Sequence, residues 1–201
     1  MTMFNCAICK VQGCSKGEKE QLPGICPTRE GKIQEKARNL YKDEDKSIAY
    51  NAALVTEEGG GNITRIQETI EFIKKCDYKK IGLIFCIGLS KEAEIIEKIF
   101  ESNDLDVIGV MCKNGGIPKS EIGIGEVVKE NMTKKDIMCN PIGQALYLNE
   151  MKTDFNVILG LCVGHDTLAI KHSNAPVTVL AVKDRVLKHN PLAAIYLKEN
   201  K

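Results

Sequence analysis

From residue 80 onward, short apolar runs alternate with amphipathic segments, and this alternation constrains the fold more than any other feature of the chain. Each run is too short for a buried helix and continuous enough for a strand covered on both faces. The segments between them have helical length and spacing. This order predicts an α/β fold, a Rossmann-like, open, mostly parallel five-stranded sheet with flanking helices. The predicted strands are residues 81–86, 106–112, 136–139, 156–162 and 175–182.

The chain before the sheet divides into two parts. Residues 1–31 are rich in cysteine, glycine and proline and predict a metal-binding knuckle of loops. Residues 32–75 are charged and predict helices, the last of which begins at a capping box on Thr64. We therefore expect a knuckle over 1–31 and an α/β domain over 32–201, with a helical lead-in and a sheet at 81–182.

The nine cysteines are many for a protein kept in a reducing compartment, and they fall into two groups. The first group lies in the knuckle with the spacing C-x2-C-x4-C-x11-C. A Cys-x2-Cys turn lets two thiolates meet on one metal, and four thiolates complete a tetrahedral set. The pattern favours a 4Fe-4S cluster, with zinc and four unliganded thiols as the alternatives. The four residues are Cys6, Cys9, Cys14 and Cys26.

The second group follows the predicted strands at intervals of one βα unit each. Because the carboxyl ends of parallel strands share one edge of a sheet, we expect these thiols to meet there around a shared metal or cluster. The alternatives are thiol redox chemistry and a role as small buried hydrophobic side chains. Cys76, at the end of a predicted helix, is interpreted as incidental. The group consists of Cys86, Cys112, Cys139 and Cys162.

Four polar residues close to the same edge are the candidate catalytic groups. His165 and Asp166 directly follow the loop after Cys162, where a helix cap, a general acid or a further metal ligand would lie. Asp184 and Arg185 follow the last predicted strand and are placed to bind an anion, together with the neighbouring Lys183 and His189. A helix cap for Asp166 and a solvated charged loop for 183–189 are the structural alternatives.

Composition excludes several classes of function. Lys and Arg number 28 and Asp and Glu 27, so the net charge of +1 gives no field that would attract nucleic acid. Aromatic residues make up 5% of the chain, which leaves little material for base stacking. No apolar run approaches the length of a transmembrane helix and no signal peptide is evident. We therefore expect a cytoplasmic protein that binds neither nucleic acid nor a membrane.

The cysteine knuckle and three longer motifs together resemble a known family. The motifs are CNPIGQA from Cys139, LCVGHD from Leu161 and APVTVLAVKDRVLKHNP from Ala175. With them, the chain resembles uncharacterised cysteine-rich metal-binding proteins of anaerobic bacteria and archaea, a domain of unknown function. The resemblance covers nearly the whole chain and implies metal binding in an anaerobic cytoplasm. It implies no reaction and no role for the candidate catalytic residues.

These observations predict an iron–sulfur protein with one cluster on the knuckle and a second at the sheet edge. Such a protein would transfer electrons, or act as an oxidoreductase or sulfur-transfer enzyme, with a small-molecule or anionic ligand or a redox partner protein. The first alternative is a zinc-containing metal-handling or thiol redox-sensing protein. The second is an ordinary α/β enzyme that binds a nucleotide-like ligand and holds only structural zinc. The sequence also permits a homodimer.

Overall fold

A computed structural model describes residues 5–124 and 136–199 of the chain. The chain forms two compact units, residues 1–54 and residues 55–201. The predicted division after residue 31 stays a prediction. In the described part of the chain, no helix is both long and apolar enough to cross a membrane.

The first unit consists of short turns followed by helices. Its single-turn 3-10 helices lie at Cys6–Ile8, Lys19–Gln21 and Pro27–Arg29, and its α-helices are α1 (Gly13–Lys16), α2 (Gly31–Leu40) and the larger part of α3 (Asp43–Gly59).

Arg29 holds the turns of the first unit together. Its guanidinium donates to the carbonyl oxygen of Leu22 at 2.7 and 3.1 Å and to that of Lys19 at 3.0 Å. Leu22 and Cys26 are the only buried apolar side chains within residues 5–54. Because so little apolar surface is buried, hydrogen bonds to backbone carbonyls give this segment much of its order.

The second unit is built on a four-stranded parallel sheet. The strands are β1 (Lys80–Phe85), β2 (Asp106–Met111), β3 (Phe155–Leu159) and β4 (Val177–Ala181). Their order across the sheet is β2-β1-β3-β4, and every neighbouring pair is parallel. The α/β prediction is therefore confirmed at the level of a parallel sheet flanked by helices.

Helices cover both faces of the sheet, because the strand side chains alternate between two apolar cores. The helices that pack in these cores are α4 (Arg65–Lys75), α5 (Ser90–Glu101), α6 (Pro141–Glu150) and α7 (His165–His172). A further helix, α8 (Ala193–Glu199), follows the last strand. One core packs Leu83 and Val157 against Phe100 of α5. The other packs Ile84 against Leu148 of α6. The two cores bury β1 and β3 on both sides, as their continuous apolar runs predict.

The predicted fifth strand at 136–139 is wrong. This segment makes a single antiparallel bridge, between Ile137 and Pro118, and then enters α6 through Asn140. The Asn140 side chain accepts a hydrogen bond from the Gly143 N–H, and Pro141 takes the first helical position. Asn140 and Pro141, directly after a run this short, begin a helix and end the extended backbone before a ladder can form.

Candidate thiol site at the carboxyl edge of the sheet

Three of the four predicted cysteines follow strands that lie side by side. Cys86 comes directly after β1 and Cys112 directly after β2, while Cys162 lies three residues beyond β3. The strand ladder extends to the first two, because the N–H of Cys86 donates to Leu159 and the N–H of Cys112 donates to Phe85. Cys86 and Cys112 are buried, at 6% and 1% exposure. The backbone of the sheet therefore fixes both thiols.

Cys139 reaches the same edge by a different route. Its loop runs beside the segment that follows β2, with the N–H of Met138 donating to Ile117 at 2.8 Å. The N–H of Asn140 then donates to the carbonyl of Cys112 at 2.7 Å. These contacts bring the Cys139 Sγ to 3.8 Å from the Cys112 Sγ. The prediction placed Cys139 at this edge by means of a strand, whereas the structure places it there by means of a loop.

Gln144, on α6, connects the carboxyl ends of β1 and β2. Its Nε2 donates to the carbonyl oxygens of Phe85, at 3.1 Å, and Val110, at 2.5 Å. These are the last residue of β1 and the second-last of β2, so one amide ties together the backbones that carry Cys86 and Cys112. The Gln144 side chain is fully buried, and its Oε1 has no hydrogen-bond partner among the described residues. Sequence reasoning missed Gln144, although a polar residue at an apolar helix position was the available signal.

The Cys112 thiol is electrostatically unusual. Burial raises its pKa to about 11, and the nearby Cys139 and Cys86 sulfurs raise it as well. The Ile87 N–H donates to the Cys112 Sγ at 3.3 Å and acts in the opposite direction. With this raised pKa, the metal-free thiol keeps its proton at neutral pH. A bound metal ion would replace that proton.

Two cations from the segment after β4 reach the thiols. The Arg185 guanidinium donates to the Cys162 Sγ at 3.2 Å, and this hydrogen bond raises the pKa of Arg185. The Lys183 ammonium lies 3.0 Å from the point that a Cβ on Gly88 would occupy, and the Cys86 sulfur lies 4.0 Å from that point. Positive charge therefore lies beside Cys162 and near Cys86, where it favours thiolates.

The candidate catalytic residues differ in the contacts that they make. The Asp166 Oδ1 accepts from the Gly164 and Thr167 N–H groups at 3.0 and 2.8 Å within the first turn of α7. Gly164 is the N-cap of this helix, so the interpretation of Asp166 as the N-cap is wrong. The Asp184 Oδ1 accepts from two N–H groups of its own loop, those of Val186 and Leu187. His165 is half-buried at the first position of α7, directly after the Cys162 loop. Of the four, Arg185 is the one that contacts a thiol, and the catalytic roles stay predictions.

The cysteine ligands are of a type that suits a soft metal, but their spacing in this structure does not form a metal site. Thiolates are the ligands that zinc, copper(I) and iron–sulfur clusters prefer, so the residue types fit. In residues 5–124 and 136–199, however, no three His, Cys, Asp or Glu side chains are arranged around one metal position. This finding includes the knuckle, where Cys6 and Cys14 are exposed and Cys26 is buried. At the sheet edge, metal binding would draw further thiols toward the Cys112 and Cys139 pair.

Comparison with known proteins identifies the family. The family model described as Protein of unknown function (DUF1847) matches residues 26–180. The chain belongs to this family. It is also 49% identical over 157 residues to Uncharacterized protein MJ0455 of Methanocaldococcus jannaschii, a match that covers 78% of this chain and 79% of the relative. The family match includes Cys26 and the four edge cysteines, and leaves out Cys6, Cys9 and Cys14.

Proposed function

We propose that this DUF1847 member is an iron–sulfur protein with a cluster at the carboxyl edge of its sheet. Cys86, Cys112, Cys139 and Cys162 would hold that cluster. Its chemistry would be electron transfer, or redox or sulfur chemistry on a small molecule. The observation that carries the proposal is the arrival of four thiols at one edge of the sheet from four separate chain segments.

The surroundings of the thiols support an anionic group. An iron–sulfur cluster held by four thiolates is negative, and hydrogen bonds to its sulfurs tune its reduction potential. Arg185 already donates to Cys162, and the Ile87 N–H already donates to Cys112. Lys183 adds a second cation beside Cys86. These groups would stabilise the thiolates and orient them.

The topology supports a ligand site at the same place. We infer that the sheet is Rossmann-like in the broad sense, because the order β2-β1-β3-β4 is that of a doubly wound sheet whose strand order reverses between β1 and β3. Ligands of such sheets collect at that reversal, outside the carboxyl ends of the strands. A cytoplasmic, anaerobic setting belongs to the same proposal, since oxygen destroys many exposed clusters and oxidises thiols.

We propose a second cluster in the N-terminal segment, on Cys6, Cys9, Cys14 and Cys26. The supporting observation is the small apolar core of residues 5–54, where Leu22 and Cys26 alone are buried. A segment with so little hydrophobic stabilisation gains its order from metal coordination in many small proteins. With two clusters, the chain would hold a donor and an acceptor of electrons, and its partner would be a redox protein or a small anionic ligand.

A zinc or thiol redox site is the second candidate, and the spacing of one thiol pair favours it. Two thiolates on one tetrahedral zinc lie ~3.8 Å apart, given a Zn–S bond of about 2.3 Å. Cys112 and Cys139 have this separation. In a cubane each cysteine binds a different iron, so the sulfurs lie farther apart. The same pair is also placed to form a disulfide after a small movement.

Metal analysis on protein purified without oxygen tests the proposal. We expect iron and acid-labile sulfide, about eight of each per chain for two cubanes, with a visible band that dithionite bleaches. Cys139→Ser should remove about half of both. Cys76→Ser is the matched control, because Cys76 ends α4 away from the sheet edge, and it should leave both unchanged.

The outcomes separate the two candidates. Zinc without iron or sulfide would replace the iron–sulfur proposal by the zinc candidate. A colourless, metal-free protein would establish the redox pair instead if mild oxidant lowered its mass by two hydrogen atoms, as disulfide formation does. The Cys139→Ser variant should then show no such loss. If Cys139→Ser and Cys112→Ser both kept the iron and sulfide content of the unmodified protein, no cluster would lie at the sheet edge.

A further inference from the structure

A slot of about 390 Å³ lies between α4 and α5 at the carboxyl ends of β3 and β4. Leu159 and Leu180 line it from the strands, and Ile66 and Ile96 line it from the two helices. Small-molecule sites have volumes of about 300–1,000 Å³, mostly apolar walls and a few polar groups. The slot has the size and the lining of such a site.

One carboxylate at the slot is uncommitted. Among the described residues, Glu92 in the first turn of α5 has no hydrogen bond and no ion pair. Arg65, which also lines the slot, is engaged, because it donates to the Thr178 Oγ1 at 2.9 Å and lies 3.8 Å from Glu68. The Glu92 carboxylate at the rim of the slot is therefore available to accept a hydrogen bond from a ligand.

His189 supplies the complementary donor. The N–H of Asp184 donates to the His189 Nδ1 at 3.1 Å, so the proton of the neutral ring is on Nε2. The loop that presents this ring is tightly built, since His189 and Lys188 have left-handed φ values of 67° and 49°. Its backbone closes with the N–H of His189 donating to Asp184 at 2.9 Å. Non-glycine residues keep this conformation only where surrounding contacts enforce it.

We propose that the slot binds a small planar heterocycle that carries an N–H donor beside a carbonyl or ring-nitrogen acceptor. The flat ring would lie among the aliphatic side chains, its N–H would donate to Glu92, and its acceptor would receive the His189 Nε2–H. Leu89 lines the slot and ends the turn Ile87–Leu89 that follows Cys86. The ligand would thus lie beside the thiol edge, although the proposal needs no metal there.

Titration with lumazine, a fluorescent dioxopteridine, tests the proposal on the full-length protein. We expect saturable binding, and at least tenfold weaker binding of 1,3-dimethyllumazine, which keeps the ring and carbonyls but lacks both N–H donors. Benzoate tests for a pocket that accepts any apolar anion, and we expect it to bind at least tenfold more weakly than lumazine.

Three variants complete the test. Glu92→Gln should weaken lumazine binding about tenfold, because the charged acceptor is lost. Glu101→Gln, at the other end of α5, is the matched control and should bind as the unmodified protein does. Ala181→Leu should abolish binding by filling the slot, and its far-ultraviolet circular dichroism should show that the sheet is retained.

Three results would overturn the proposal. The first is the absence of saturable lumazine binding. The second is equal affinity for 1,3-dimethyllumazine or for benzoate, which would mean that no donor–acceptor edge is recognised. The third is unchanged binding in both Glu92→Gln and Ala181→Leu, which would place lumazine elsewhere on the protein.

Discussion

The two compact units each carry four of the candidate cysteines and hold them by opposite means. In residues 55–201, two apolar cores and a strand ladder fix the positions of Cys86 and Cys112. In residues 5–54, one arginine and a few backbone turns organise the segment, and only Leu22 and Cys26 are buried among its apolar side chains. A hydrophobic core can prearrange a thiol site, whereas a segment without one depends on its ligand for order.

Metal removal should produce the largest contrast between the units. Metal coordination in small cysteine modules supplies on the order of 10 kcal/mol of folding free energy, so the first unit should lose its order in chelator. Trypsin should then cleave after Lys10, Lys16 and Lys19 at least roughly tenfold faster than in the metal-loaded protein. The sheet unit should stay resistant. Equal protection of the first unit with and without metal would contradict this contrast.

Gly82→Ala should destabilise the sheet unit next most strongly. A Cβ at this position in β1 would overlap Asn156 Oδ1 and lie 2.6 Å from Leu148, both fully buried. We expect a loss of about 3 kcal/mol in the free energy of unfolding measured in urea. Gly109→Ala on β2 is the matched control, because its nearest contact of 3.5 Å is ordinary. Equal losses in the two variants would show that strand glycine itself, rather than packing, causes the effect.

Gln144→Leu should loosen the strand ends under the thiols. The variant removes both hydrogen bonds to Phe85 and Val110 and, with them, the unpartnered Oε1. We expect a net loss of about 2 kcal/mol in urea unfolding and faster reaction of the edge thiols with a disulfide reagent. Gln21→Leu, at an exposed glutamine of the first unit, should change neither quantity appreciably. A stable Gln144→Leu protein with unchanged thiol reactivity would argue against the fastening role.

Stability of the metal-free sheet unit should fall at alkaline pH because of Cys112. Its pKa is about 11 in the folded state and about 9.0 as the ordinary value. Between these values the unfolded chain releases the proton and the folded chain keeps it, so rising pH favours unfolding. The contribution of Cys112 is complete below pH ~9 and is lost as pH rises toward ~11. Urea unfolding at several pH values checks this, and Cys112→Ala should have a flatter profile.

Gly88→Ala should have the smallest effect. Its Cβ would meet the Lys183 ammonium at 3.0 Å, and Lys183 is long and flexible enough to move aside. Global stability should hardly change, while metal release from the sheet edge becomes a few-fold faster as the cation shifts away from Cys86. Gly31→Ala, where a Cβ meets nothing within 4 Å, is the control. An unchanged rate of metal release in Gly88→Ala would show that Lys183 does not contribute to the site.

Much of the sheet could be predicted from residue patterns, and the failures have local causes. The strands β2 and β4 lie within the predicted runs, and β1 and β3 begin one residue before theirs. A continuous apolar run with glycine-containing loops has few other stable solutions. The run at 136–139 looked similar but ends at Asn140 and Pro141, where helix capping prevails over strand pairing. The catalytic roles of Asp166 and Asp184 stay predictions, and each carboxylate accepts backbone hydrogen bonds in its own turn.

Only part of the candidate site could be predicted from the sequence, because some of its contacts join segments that are far apart in the chain. Cysteines after strands are visible in the sequence, so their arrival at one edge could be predicted. The approach of Cys139 to Cys112 depends on a loop pairing with residues 112–119, and no periodicity signals such a contact. Gln144 interacts with strands that are 34 and 59 residues away, which no local pattern records.

The sequence alone determined the α/β class, the alternation of elements and the positions of Cys86, Cys112 and Cys162 after their strands. These depend on hydrophobic periodicity and turn chemistry, which act over a few residues. Tertiary structure decided that β1 lies between β2 and β3, that Cys139 meets Cys112 through a loop, and that Glu92 and His189 share a slot. Those outcomes depend on which distant segments pack best together, a property of the whole folded chain.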